Sequence, residues 1–99
     1  MSEPLILFAR LKAQPGQAEA LELALRGLVE PTRAEAGCLA YVLHRAVELP
    51  DTWLLYESWE SRDALDAHFA QPYMQALMSR VPALVDGAVE MTFATAIGE

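Results

Sequence analysis

Positive charge is scarce in this chain. Lys and Arg number 7 against 14 Asp and Glu, a net charge of −7 at pH 7 over 99 residues. Phosphate backbones are held by clustered Lys and Arg, and these seven are scattered, which argues against nucleic acid and equally against anionic membrane surfaces. No apolar run nears the roughly 20 residues that a membrane-spanning helix requires. The start, Met1-Ser2-Glu3-Pro4, puts no basic region ahead of an apolar stretch, so no secretory leader is expected. Cysteine occurs once, as Cys38; it cannot close an internal disulfide and fits a reducing cytoplasm. Between Gly37 and Leu39 it reads as a small buried hydrophobe rather than a nucleophile. The two histidines, His44 and His68, stand far apart without a third ligand at metal spacing, so no metal site is expected. A glycine-rich phosphate loop and a nucleophile elbow are also missing.

What the chain has in excess is apolar residues, 54% of the total, with a positive mean hydropathy of +0.17. A single domain of this size, here residues 1–99, buries only about 60–70% of its unfolded surface. So much apolar material on so small a globule implies that another chain supplies cover.

The periodicity changes along the chain. Leu5 to Ala13 alternates, with Leu5, Leu7, Ala9 and Leu11 on one face and Ile6, Phe8, Arg10 and Lys12 on the other, which predicts a strand. Gln14-Pro15-Gly16 is a turn signal. From Gln17, Ala18, Leu21, Leu25, Leu28 and Val29 share one helical face, and Glu22 and Arg26 stand at i,i+4 in the favourable order. Pro31 is expected to kink this helix or begin a new turn, and Gly37 to terminate it from just past its end. Cys38 to Arg45 reads as a strand with Leu39, Tyr41 and Leu43 set against Ala40, Val42 and His44. After a turn over Glu48 to Asp51, Thr52 to Trp59 is a third strand, its Trp53, Leu55, Glu57 and Trp59 opposing Leu54, Tyr56 and Ser58. Ser61 suits a helix N-cap, and Asp63 the positive helix start. This short helix, to about Ala70, turns Ala64, Leu65, His68 and Phe69 inward. Pro72 suits the first turn of the next helix, with Leu77, Met78 and Val81 inward and Pro82 limiting its length. Gly87 precedes a last strand from Ala88 to about Ala96.

The order strand, helix, strand, strand, helix, strand is the α+β, ferredoxin-like split βαβ plan, a four-stranded antiparallel sheet with helices on one face. The other face is not polar: Ile6, Phe8, Leu54 and Tyr56 stand where a solvated sheet would be hydrophilic. A second copy packing sheet on sheet with two-fold symmetry is the simplest cover, which predicts a homodimer.

Chemistry concentrates in Tyr56-Glu-Ser-Trp-Glu-Ser-Arg-Asp-Ala-Leu-Asp-Ala-His-Phe-Ala-Gln-Pro-Tyr73. Residues i and i+2 of a strand share a face, so Glu57 and Trp59 point the same way, and a helix folding back brings His68 to them. A carboxylate and an imidazole beside an indole are a costly core or a pocket. Glu57 is read as a general base whose pKa is raised by burial, or as an anchor paired with His68 or an Arg. His68 is the acid/base partner, or a histidine that orients Glu57. Trp59 is a pocket wall for a planar substrate or a core ring. His44 enters the same cavity or lies at the strand end in water, and Tyr73 caps the pocket or simply packs.

These residues resemble the antibiotic biosynthesis monooxygenase family, of the dimeric α/β-barrel group. The matching pieces are Phe8-Ala-Arg-Leu-Lys-Ala-Gln-Pro-Gly16, Thr32-Arg-Ala-Glu-Ala-Gly-Cys38, Leu43-His-Arg45, Tyr56-Glu-Ser-Trp-Glu-Ser61, Leu65-Asp-Ala-His-Phe69 and Gln71-Pro-Tyr73. The resemblance implies a dimer whose two sheets form a barrel, with a pocket between each sheet and its own helices. It implies oxidation of a phenol, quinol or anthrone by dioxygen, without metal or flavin. Haem-degrading members use an Asn on the first strand, a Trp on the helix after the third strand and a His on the next helix. Here Arg10 lies near the first of these positions, His68 holds the second and a residue near Met78 the third, so haem is not expected.

The expectation is therefore a cytoplasmic homodimeric monooxygenase with no cofactor. Its catalytic pair is His68 and Glu57, and Trp59, His44, Tyr73 and Arg10 bind a small aromatic substrate. An isomerase or lyase working by enolisation, and a non-catalytic binding or stress-response domain, are the alternatives.

Overall fold

The fold is drawn from a computed structural model that describes residues 3–98. The elements run β1 (Leu5–Lys12), α1 (Ala18–Arg33), β2 (Cys38–Arg45), β3 (Thr52–Trp59), α2 (Arg62–Phe69), α3 (Pro72–Leu84) and β4 (Glu90–Ala94). The four strands order as β2-β3-β1-β4, every neighbouring pair antiparallel. That is the expected ferredoxin-like arrangement. No helix among the described residues is long and apolar enough to cross a membrane.

Strand alternation sorts the sheet into two faces. Leu7, Ala9 and Leu11 of β1, Tyr41 of β2, and Trp53, Leu55 and Trp59 of β3 join the core with Leu21, Leu25 and Leu28 of α1, Leu65 of α2 and Met74, Leu77 and Leu84 of α3. The pairings Leu7↔Glu57 and Tyr41↔Glu57 set one row of this helix-covered face, with Glu57 at its centre. On the other face Phe8 is 50% exposed and Leu54 and Val42 are each 36% exposed. The rings of Phe8 and Tyr56 meet there at 5.7 Å between centroids.

Several local expectations are corrected. A bulge between Cys38 and Ala40 breaks the alternation of β2, so Leu39, expected beside Tyr41 and Leu43, is exposed. The internal prolines lie in the last turns of their helices: α1 runs on through Pro31 to Arg33, and α3 ends at Leu84, two residues after the Pro82 expected to limit it. Near a helix end a proline forfeits one donor, and the turn is then closed from beyond it. The Ala34 amide reaches the Glu30 and Pro31 carbonyls at 3.3 Å, and the Val85 amide the Val81 carbonyl at 2.8 Å. Met78 faces inward onto the sheet-helix cavity but stays 40% exposed, and Met74, Leu77 and Leu84 are the residues that α3 buries. Gly37 does not cap α1, which ends at Arg33. A Cβ on Gly37 would lie 2.3 Å from the Ala64 Cβ, so the glycine is there to let α2 approach.

Ser61 caps α2 as expected, its hydroxyl accepting from the Ala64 amide at 3.1 Å. Gly37 binds the same segment, its carbonyl accepting from the Glu60 amide at 2.9 Å. These contacts fix the rotation of α2, and with it the side of the helix on which His68 and Leu65 are buried.

Candidate active site

Between the covered face of the sheet and α1 and α3 lies a cavity of about 100 Å³. Its wall is apolar, formed by residues such as Leu7, Leu25, Leu55, Phe69 and Leu77, and interrupted by Glu57 and Tyr41. Met74, Met78 and Met91 complete it, and since Met78 and Met91 are 40% and 48% exposed the wall is thinnest there. Among the described residues Glu57 is the one carboxylate on this wall.

Glu57 is only 4% exposed. Its Oε1 accepts from the Trp59 indole Nε1–H at 3.0 Å. Burial pushes its pKa up to about 7, opposed by the indole hydrogen bond and assisted by the negative charge of Glu35. A carboxylate in that range changes charge around neutrality, as a general base at pH 7 must. Tyr41, its neighbour across the sheet, is pushed the other way from use: burial and the Glu57 charge raise its hydroxyl far above the ordinary tyrosine range.

His68 is fully buried, yet it is not on the cavity wall. Its ring lies against Trp59, centroids 4.7 Å apart and planes 35° from parallel, with Tyr41 and Phe69 at 5.8 and 5.4 Å. Nδ1 lies 2.9 Å from Glu35 Oε2, and an ionised carboxylate there selects the tautomer in which Nδ1–H donates. Nε2 is buried with no hydrogen-bond partner among the described residues. The Tyr73 hydroxyl donates to the same Glu35 oxygen and lies 3.3 Å from the Pro31 carbonyl.

The expected cluster is therefore half right in its geometry. Glu57, Trp59 and His68 do come together, but Glu57 pairs with the indole rather than with His68 or an Arg. Trp59, fully buried, stands behind the carboxylate instead of facing the hollow. Tyr73 packs on Glu35 and does not line the cavity. Arg10 and His44 lie on the opposite sheet face, because both carry the parity of Phe8 and Val42; each is in register with Leu54. Arg10 there pairs with Glu90 at 2.6 Å. Glu35 carries no sequence signal of its own, although it sits in the Thr32–Cys38 segment. An isolated acid in a helix-to-strand connection looks solvated until the chain brings His68 and Tyr73 to it. Among the described residues no group of three or more His, Cys, Asp or Glu could hold a metal ion.

A larger, open groove of about 890 Å³ runs between α1 and the β2–β3 connection. Its acid, Glu22, is occupied: Arg45 and Arg26 pair with it, and the Trp53 indole donates to it at 3.0 Å. Those partners hold its pKa down at about 2, Arg45 first. An acid so held is a poor proton acceptor at neutral pH, and the apolar cavity is the better site.

The fold and the site define a small α+β protein that keeps one poised carboxylate on the wall of an apolar hollow. The chain belongs to the antibiotic biosynthesis monooxygenase family, whose model matches residues 4–80. It is 31% identical over 99 residues to the Mycobacterium tuberculosis protein Rv0793, named as a candidate monooxygenase, covering 100% of this chain and 97% of that one. It is 28% identical over 89 residues to the Synechocystis protein sll1783, covering 90% of this chain and only 60% of that protein's length. Among solved structures, PA3566 from Pseudomonas aeruginosa matches with a TM-score of 0.94 and 38% identity over 99% of this chain and 98% of that one. The structure of Rv0793 matches with a TM-score of 0.91 over 97% of each chain.

Proposed function

We propose that this protein is a monooxygenase that oxidises a small phenol or quinol with dioxygen, without a cofactor, using Glu57 as the base. The observation that carries the reading is the placement of Glu57, buried on an apolar cavity wall as its one carboxylate among the described residues, where burial pushes its pKa up to about 7. The family and the name of Rv0793 support the same reaction type.

In this reading Glu57 takes the phenolic proton, and the phenolate passes one electron to dioxygen. The resulting phenoxyl radical and superoxide combine through a new C–O bond at a ring carbon that carries hydrogen. The peroxide anion takes the proton back from Glu57. The hydrogen on that carbon then leaves to Glu57 as a proton and the O–O bond breaks towards the outer oxygen. A carbonyl remains, and the released hydroxide collects the proton and departs as water. The apolar wall excludes bulk water from the reduced-oxygen intermediate.

Size narrows the substrate. An apolar cavity of roughly 150 Å³ takes up benzene, so about 100 Å³ admits one ring when the wall yields a little. Met74, Met78 and Met91 are suited to yield, being unbranched and polarisable. His68 acts in this reading through Trp59 and Glu35 rather than on substrate. The chain is taken as one domain, assembled as a homodimer through the exposed apolar sheet face, with His44 and Arg10 at that interface. The cytoplasmic location expected from the single thiol is retained.

Oxygen uptake with a panel of single-ring phenols and quinols, alongside anthrones and with a chelator present, tests the proposal. Turnover of a single-ring substrate that survives the chelator is expected, falling roughly 100-fold or more in Glu57→Gln, the usual worth of a general base. Uptake by no member of the panel, or uptake unchanged in Glu57→Gln, sinks it. Proton exchange at a carbonyl-adjacent carbon without oxygen uptake would point to enolisation instead.

A further inference from the structure

Two indole N–H groups in this molecule end on carboxylates, and one of them does so in the core. Trp59 is 0% exposed, and its N–H goes to Oε1 of Glu57 at 3.0 Å. Oε2 of the same carboxylate makes no hydrogen bond among the described residues, while Glu57 itself borders the cavity. A donor on one oxygen fixes the twist of the carboxylate about its last bond, and the other oxygen is then the one left open. The indole is held in turn. The His68 ring lies on it at 4.7 Å, His68 is tied to Glu35 at 2.9 Å, and Tyr73 donates to that same acid. The chain of contacts thus runs from α3, through the α1–β2 connection and α2, to the central row of β3.

We propose that Trp59 is the positioning residue of the site: its N–H tethers Oε1 of Glu57 and leaves Oε2 as the single proton acceptor at the cavity wall, while His68, Glu35 and Tyr73 keep the indole in place. The proposal rests on the reading of Glu57 as the base, but the tether can be measured with no substrate present.

Other ionisable groups must be kept apart in that measurement. Around Glu57 stand Tyr41 of β2, Glu35 in the connection, Cys38 at the start of β2, His68 of α2 and Tyr73 of α3. The residues of α1, β1 and β4 that share its cavity wall include Leu25 and Leu28, Leu7, and Met91, none of which titrates. The chain also supplies its own reference. It has two tryptophans, and the other, Trp53, donates to Glu22, a carboxylate that stays ionised above pH 4 because its pKa is held at about 2.

The experiment is a pH titration of the two indole N–H resonances in nitrogen-15-labelled protein between pH 5 and 9, in the native chain and in Glu57→Gln. The Trp59 resonance is expected to move in a step as Glu57 ionises, the step to vanish in Glu57→Gln, and the Trp53 resonance to stay flat. In Trp59→Phe, which keeps a ring for His68 but loses the N–H, the infrared carbonyl band of protonated Glu57 should persist to higher pH. An N–H donor favours the ionised form, so its midpoint should rise by about one pH unit, and the pH profile of oxygen uptake should rise with it. A flat Trp59 resonance, a step that survives Glu57→Gln, or an unmoved midpoint in Trp59→Phe overturns the tether. The first two are decided on chains that keep Trp59, so a Trp59→Phe that fails to fold leaves the proposal falsifiable. A Trp59 step without any oxygen uptake would keep the tether and sink the base assignment alone.

Discussion

Glu57 and Glu22 each accept an indole N–H at 3.0 Å, yet one titrates near 7 and the other near 2. The shared hydrogen bond lowers both; what separates them is the rest of the surroundings. Glu22 has two arginines and lies towards solvent, whereas Glu57 pairs with no cation among the described residues and is buried. This has a consequence for stability. The folded pKa of Glu57 is raised above its ordinary value of 4.5, so between about pH 4.5 and 7 the folded state binds more protons than the unfolded one, and stability falls as pH rises through that window. The full difference is worth about 3 kcal/mol above pH 7. Glu22 works oppositely, its contribution being present above its unfolded pKa and lost as pH falls towards 2. Urea denaturation should therefore show native protein losing stability from pH 5 to 8, Glu57→Gln staying nearly level, and the variant being the more stable of the two at pH 8. Parallel curves for the two proteins would refute the pKa assignment. That Glu57 and Trp59 share a face could be read from i,i+2 spacing. That the indole, not His68, satisfies the acid depended on side-chain packing.

At the scale of elements, α2 decides the site, since it brings His68 under the sheet and Phe69 to the cavity wall. Its place is set by the Ser61 cap and by the absence of a side chain at Gly37. Gly37→Ala should push α2 off the sheet and destabilise the protein by about 1–3 kcal/mol, the usual cost of overpacking, measurable as a lower denaturation midpoint. A substitution without effect would show that α2 has slack there. Ser61→Ala should cost about 1 kcal/mol by the same measurement, through loss of the cap alone. Strand periodicity and capping chemistry made β1, β3 and the start of α2 legible, because those signals are local. The bulge that turns Leu39 outward was not, because it depends on how β2 pairs with β3.

At the scale of the whole molecule, the two sheet faces are unequally covered. The helices bury one, while the other keeps Phe8, Val42 and Leu54 in view with Arg10 and His44 beside them. If a second copy covers that face, Phe8→Glu places a charge where sheet meets sheet, where an unpaired buried ion costs several kcal/mol. Light scattering during gel filtration should then find native protein at twice the chain mass and Phe8→Glu at the chain mass. A native protein that elutes as a monomer would refute the assembly.

The order of elements, the parity of β1 and β3 and the family resemblance were all determined by the chain itself, because hydrophobic period, turn residues and caps act over a few neighbours. The identity of the acid's partner was decided only in three dimensions, as were the role of Glu35, the separation of Arg10 and His44 from the hollow, and the hollow's narrowness. Each of these depends on which side chains meet across elements distant in sequence, and on how much space they leave.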